Sequence, residues 1–149
     1  MIVKSLDHLN SLSQKIADKL DKNDCIFLIG EIGVGKTTFT RYLINRLQEK
    51  NGEKITEVLS PTFNLLYEYD LKTIKIMHYD LYRIKDEKEL KHLGIFLDKK
   101  DSIKIIEWPQ LINIPLPDKL EIHLDYVKNE KERRIKFIGS DRWKFLNEL

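Results

Sequence analysis

The chain has 149 residues, 42% of them hydrophobic, which suffices for one globular domain with a buried core, taken as residues 1–149, and leaves no room for a second. Its 26 Lys and Arg nearly balance 24 Asp and Glu, so a net charge of +2 gives no electrostatic case for autonomous nucleic-acid binding, and DNA is not an expected partner. One cysteine excludes an internal disulfide and suits a reducing cytoplasm, and no apolar run approaches the roughly 20 residues of a membrane span or follows a basic segment as in a signal peptide.

In chain order, residues 5–20 place Leu6, Leu9, Leu12, Ile16 and Leu20 near helical spacing behind Ser5, a capping residue, and predict an amphipathic helix. The apolar run 25–29 predicts a strand that feeds directly into Gly30-Glu-Ile-Gly-Val-Gly-Lys-Thr37, and Phe39, Tyr42, Leu43 and Leu47 then mark a helix from Thr38 to the stop at Asn51-Gly52. Residues 55–59 read as a second strand ending at Ser60-Pro61-Thr62, so strand, crossover helix and strand imply a parallel pair. Residues 63–69 and 73–79 predict a hairpin closed by Asp80-Leu-Tyr-Arg83. A helix over 86–93 ends at Gly94, and a strand over 103–106 runs into Glu107-Trp108-Pro109. Beyond the loop at 115–117, the alternation over 120–126 and at Ile135 and Phe137, around a charged turn at 128–132, predicts a second hairpin, with a short helix from Asp141. The sum is an α/β, three-layer P-loop domain with a mixed, mainly parallel central sheet plus antiparallel hairpins.

The loop at 30–37 carries the most chemistry. Glycines at 30, 33 and 35 let the backbone turn its N–H groups inward beside a helix N-terminus, which attracts phosphate; Lys36 reaches the β and γ phosphates, and Thr37 offers a hydroxyl to Mg²⁺. The alternative, a glycine-rich turn with a solvated lysine, has neither the strand before nor the helix after. Turnover also needs an acid near the metal and a group to position the attacking oxygen. Glu107 ends an apolar strand where ligands bind in open α/β sheets and takes the Mg²⁺ role, with Trp108 beside the nucleotide. Asp80 is the candidate to orient water or hold a metal-bound water, and Thr62 the switch-like hydroxyl. Each has a plainer reading: an exposed strand-end acid, a hairpin carboxylate, a Ser-Pro turn. His78 reads as a packed or hydrogen-bonded strand histidine, structural or set behind the site's own groups and not a catalyst, Arg83 as a partner-binding or solvated cation, and Arg133 and Arg134 as a solvated hairpin edge from which one could contact nucleotide.

Gly30 to Thr38, Ser60-Pro-Thr-Phe63, His78-Tyr-Asp-Leu-Tyr-Arg83, Leu93-Gly-Ile95 and Ile106-Glu-Trp-Pro109, in this order, closely resemble the TsaE (YjeE) family over nearly the whole chain. The resemblance implies a bacterial, cytoplasmic P-loop ATPase of weak intrinsic turnover that binds ATP and Mg²⁺. It also implies TsaD and TsaB as partners in forming N6-threonylcarbamoyladenosine in tRNAs reading codons that begin with A, with tRNA met through the complex. Matched motif by motif, Gly33, Val34, Gly35, Lys36, Thr37 and Thr38 bind the phosphates, Thr37 and Glu107 hold Mg²⁺, Asp80 assists hydrolysis with Lys36 and Thr62, and Arg133 matches a late arginine. Glu31 replaces a common aspartate, and Leu9 stands where a threonine often opens the first helix, which leaves Asp7 as the candidate there for a nucleotide contact.

Three other functions fit the loop alone. A small-molecule P-loop kinase would need an arginine-rich lid, and no Arg-x-x-x-Arg segment provides one. A GTPase would carry Asn-Lys-x-Asp late in the chain, whereas the nearest look-alike, residues 21–24, precedes the loop. A nucleotide-gated binding module without significant turnover is the non-enzymatic alternative.

Overall fold

The computed structural model describes residues 1–97, 101–128 and 131–149. Its strands β1 (Ile2–Val3), β2 (Cys25–Gly30), β3 (Leu66–Asp70), β4 (Lys75–Asp80), β5 (Ser102–Glu107), β6 (Leu120–Tyr126) and β7 (Arg133–Ile138) form one sheet in the order β1-β7-β6-β2-β5-β4-β3. The pairs β6·β2, β2·β5 and β5·β4 are parallel, while β3, β7 and β1 join antiparallel at the two flanks. Five of the seven strands therefore run the same way, as a mainly parallel sheet requires. Both hairpins form, although residues 129 and 130 of the second turn lie outside the described residues.

Alternation on the central strands builds two cores. Ile26 and Leu28 of β2, Ile76 of β4 and Ile103 and Ile105 of β5 face the helices α1 (Leu6–Ala17) and α2 (Lys36–Lys50), whose Leu12, Ile16, Phe39, Leu43 and Ile44 cover them. Each of these fully buried side chains contributes about 1.5–3 kcal/mol by leaving water. On the opposite face Phe27, Met77, Tyr79 and Ile106 pack with Leu81 and Ile95 under α3 (Glu87–Leu93) and the following loops. Cys25 lies in this second core, where burial pushes its thiol up to about 12, so it is a packing residue and not a nucleophile. Ser5 caps α1 as the sequence announces, accepting from the His8 N–H, and Gly94 ends α3 in a left-handed conformation; Asp86, expected as the first helical residue, instead caps α3 by accepting from the Glu89 N–H.

Residues 55–59 correct the expected order, because they form no strand and no parallel partner for β2. Both edges of β2 are already taken, by β5 and β6, so no slot remains beside it. The segment instead runs as irregular chain after α2, tied to it by the Gln48 side-chain amide donating to the Thr56 hydroxyl at 2.7 Å, with Val58 buried in the core. The two-residue β1 went unpredicted, and the last element is a 3-10 helix, Asp141–Glu148, which seats Trp143 and Leu146 against β7.

Candidate active site

The carboxyl ends of β2, β4 and β5 lie side by side, and α2 starts above them. Strand parity decides which side chains arrive there: Glu107 shares its face with Ile103 and Ile105, and His78 and Asp80 share theirs with Ile76, so all three point to the α2 side. Register then aligns Asp80 with Glu107 across the β4·β5 pair. A cleft of about 270 Å³ results, lined by loop residues Gly33, Gly35, Lys36, Thr37 and Thr38 on one side and by Thr62, Asp80, Glu107 and Trp108 on the other.

The loop is shaped by close approach and by a left-handed turn. A Cβ at Gly30 would run into the Leu124 carbonyl of the neighbouring strand and into Val34, and Gly35 caps α2 at φ 118°, a conformation that L side chains rarely adopt. Lys36 Nζ donates to the carbonyls of Gly30 and Glu31 at 2.7 and 2.8 Å, folding the ammonium back across the loop. Burial pushes its pKa down from the ordinary range, and the negative charges of Glu107 and Asp80 oppose that shift. The Trp108 ring lies over this ammonium, 4.3 Å from Nζ to the ring centroid, and packs on Tyr82 at 4.9 Å between centroids. Trp108 holds this position at φ 57°, an unusual backbone for so bulky a residue and one that costs on the order of 1–3 kcal/mol.

The acids are tightly held. Thr37 Oγ1 donates to Glu107 Oε1 at 3.0 Å, and Glu107 Oε2 meets His78 Nε2 at 2.7 Å. Asp80 accepts from Thr62 Oγ1 at 2.9 Å and from the Tyr82 N–H at 3.0 Å, and Ser60 and Thr62 share a hydroxyl contact of 2.8 Å. Glu107 and Asp80 are buried, each at the bottom of a network of donors. Two hard oxygen groups, the Thr37 hydroxyl and the Glu107 carboxylate, converge at the first turn of α2, a donor set that fits Mg²⁺.

Of the residues singled out from sequence, Gly33, Gly35, Lys36, Thr37, Thr38, Thr62, Asp80, Glu107 and Trp108 all line one cleft. Val34 is buried behind the loop, with its carbonyl accepting from Arg133 Nε at 2.9 Å, so the contact Arg133 makes here is with the back of the loop. Arg83 lies over the exposed ring of Phe63 at 5.3 Å, and Asp7 sits exposed in the first turn of α1; neither lines the cleft. Two partners escaped the sequence reading. The Tyr82 amide had a legible signal, the Asx turn of Asp80-Leu81-Tyr82. Tyr126, whose hydroxyl donates to the Ile32 carbonyl at 3.1 Å, had none, because its partner is 94 residues away. His78, read as a packed or hydrogen-bonded histidine behind the site, takes that place with Glu107 as its partner, 29 residues away.

The family model described as "Threonylcarbamoyl adenosine biosynthesis protein TsaE" matches residues 3–135. The chain belongs to the TsaE family. It is similar to the tRNA threonylcarbamoyladenosine biosynthesis protein TsaE of Rickettsia felis, 33% identical over 132 residues that cover 88% of this chain and 75% of that one. The TsaE protein of Rickettsia typhi is 36% identical over 81% of this chain and 82% of its own, and that of Bacillus subtilis 33% identical over 84% and 76%. The crystal structure of Bacillus subtilis YdiB superposes with a TM-score of 0.69 over 99% of this chain and 90% of that chain; at 24% identity the likeness bears on fold alone. TsaE membership ties the chain to tRNA threonylcarbamoyladenosine biosynthesis. Among the described residues no helix is long and apolar enough to cross a membrane.

Proposed function

We propose that this TsaE-family chain is an ATP-binding, weakly ATP-hydrolysing cytoplasmic protein that supports TsaB and TsaD in forming N6-threonylcarbamoyladenosine on tRNAs reading codons that begin with A. The observation that carries the reading is the meeting of Lys36 and Thr37, from the loop, with Glu107 and Asp80, from the ends of two parallel strands, in one cleft.

The roles follow from the contacts. Loop N–H groups and the start of α2 attract the phosphates, and Lys36 exchanges its two carbonyl partners for phosphate oxygens. Thr37 and Glu107 would hold Mg²⁺, which supplies charge neutralisation on the phosphates when bound. Asp80 is fixed on one oxygen by Thr62 and on the other by the Tyr82 amide, with lone pairs left to orient a water. Trp108 shields the Lys36 end of the cleft from solvent. Among the described residues no group poised to clamp a second phosphorylated substrate lines the cleft, which favours hydrolysis coupled to a partner protein over transfer to a small acceptor.

Reconstituted tRNA modification, followed by nucleoside mass spectrometry over several turnovers, tests this. With TsaB and TsaD present, adding the chain with ATP and Mg²⁺ should raise the yield beyond the first turnover. An undiminished yield without it sinks the proposal, and ATP consumption that requires a small acceptor would favour a kinase.

A further inference from the structure

His78 is fully buried on β4, two residues before Asp80 and on the same face. Its Nε2 meets Glu107 Oε2 at 2.7 Å, a shorter contact than either bond from Thr37, at 3.0 and 3.3 Å. Among the described residues its Nδ1 is buried without a partner. The arrangement assigns the tautomer: Nε2 carries the hydrogen and donates to the carboxylate, and Nδ1 is left as a bare acceptor, which is less costly than an unpaired buried N–H. A packed strand histidine with no task would have no reason to aim its one donor at the carboxylate that ends the next strand.

We propose that His78 is the positioning residue that fixes the Glu107 carboxylate for Mg²⁺. Thr37 both donates to Glu107 and faces the phosphates, so its hydroxyl must be free to change partners; His78 cannot change partners, because it is enclosed by the core and by β5. One oxygen of Glu107 is thereby tied to the sheet while the other remains available at the cleft. Carboxylates that bind metals are commonly held by such outer partners, whose loss weakens metal affinity about 10–100-fold. The inference rests on the reading of Glu107 as the Mg²⁺-side carboxylate.

The test titrates Mg²⁺ into the full-length protein with ADP, following nucleotide affinity by calorimetry, and repeats the measurement in EDTA. His78→Gln, whose amide N–H can occupy the place of Nε2–H, should retain the Mg²⁺ response within about 3-fold, whereas His78→Leu and His78→Asn, which offer no donor at that reach, should need about 10–100-fold more Mg²⁺. Affinity in EDTA should be unchanged in all three. In a Glu107→Gln background His78→Asn should add no further loss. A normal Mg²⁺ requirement for His78→Asn, or equal losses for His78→Gln and His78→Asn, overturns the proposal. If His78→Leu fails to fold, the Gln and Asn pair decides. A normal Mg²⁺ requirement in Glu107→Gln itself would instead remove the reading of Glu107.

Discussion

The two walls of the cleft are built in opposite ways. The phosphate-loop wall comes from eight consecutive residues whose shape is set by glycines, by the end of β2 and by the start of α2. The acid wall comes from Thr62, Asp80 and Glu107, which are far apart in sequence: Asp80 and Glu107 meet because β4 and β5 pair in one register, and Thr62 joins them through its bond to Asp80. On the proposed reading the first wall offers N–H groups and a cation to phosphate; the second holds carboxylates and hydroxyls already bound to one another. A site divided this way should allow binding and turnover to be lost separately.

Four changes probe that separation. Asp80→Asn should lower ATP turnover about 1,000-fold, within the range for removing a positioned acid or base, and leave nucleotide affinity within about 2-fold. A large loss of affinity would mean that the acid wall also binds. Lys36→Ala removes the cation proposed to make a charge-assisted bond to phosphate and should weaken ATP binding about 100-fold by calorimetry, with the fold intact by circular dichroism. Thr62→Val keeps the shape but removes one donor to Asp80, so turnover should fall about 10-fold with binding unchanged; an effect as large as that of Asp80→Asn would make Thr62 a direct participant. Trp108→Phe keeps an aromatic face over Lys36 and should change affinity by about 3-fold or less. Its parent's fluorescence should change on nucleotide binding, because the ammonium beneath the ring moves, and a flat signal would show that Lys36 stays in place.

The same division explains what could be read in advance. The loop, α1, α2, both hairpins and the cap residues of α1 and α3 are local features, written in spacing and in glycine, serine and aspartate positions. That Glu107 and Asp80 end strands was also legible, since each closes an apolar run. Residues 55–59 misled because their composition suits a strand, while the choice between β5 and an earlier segment as neighbour of β2 is a competition that no local pattern records. The brace behind the loop was invisible for a similar reason. Arg133 stacks on Tyr126 at 4.4 Å, and the two reach the Val34 and Ile32 carbonyls from the β6–β7 hairpin, at separations of 99 and 94 residues.

The central placing of β2 has a consequence in time. A chain still being synthesised that has reached Asn51 contains every residue of the phosphate loop and neither neighbour of the strand that carries it. Those neighbours arrive only with Ser102–Glu107 and Leu120–Tyr126, and parallel pairing over such separations forms late. The motif that emerges earliest is therefore among the last to take its shape, and a ribosome-stalled fragment ending before β5 should bind no nucleotide, however complete its loop.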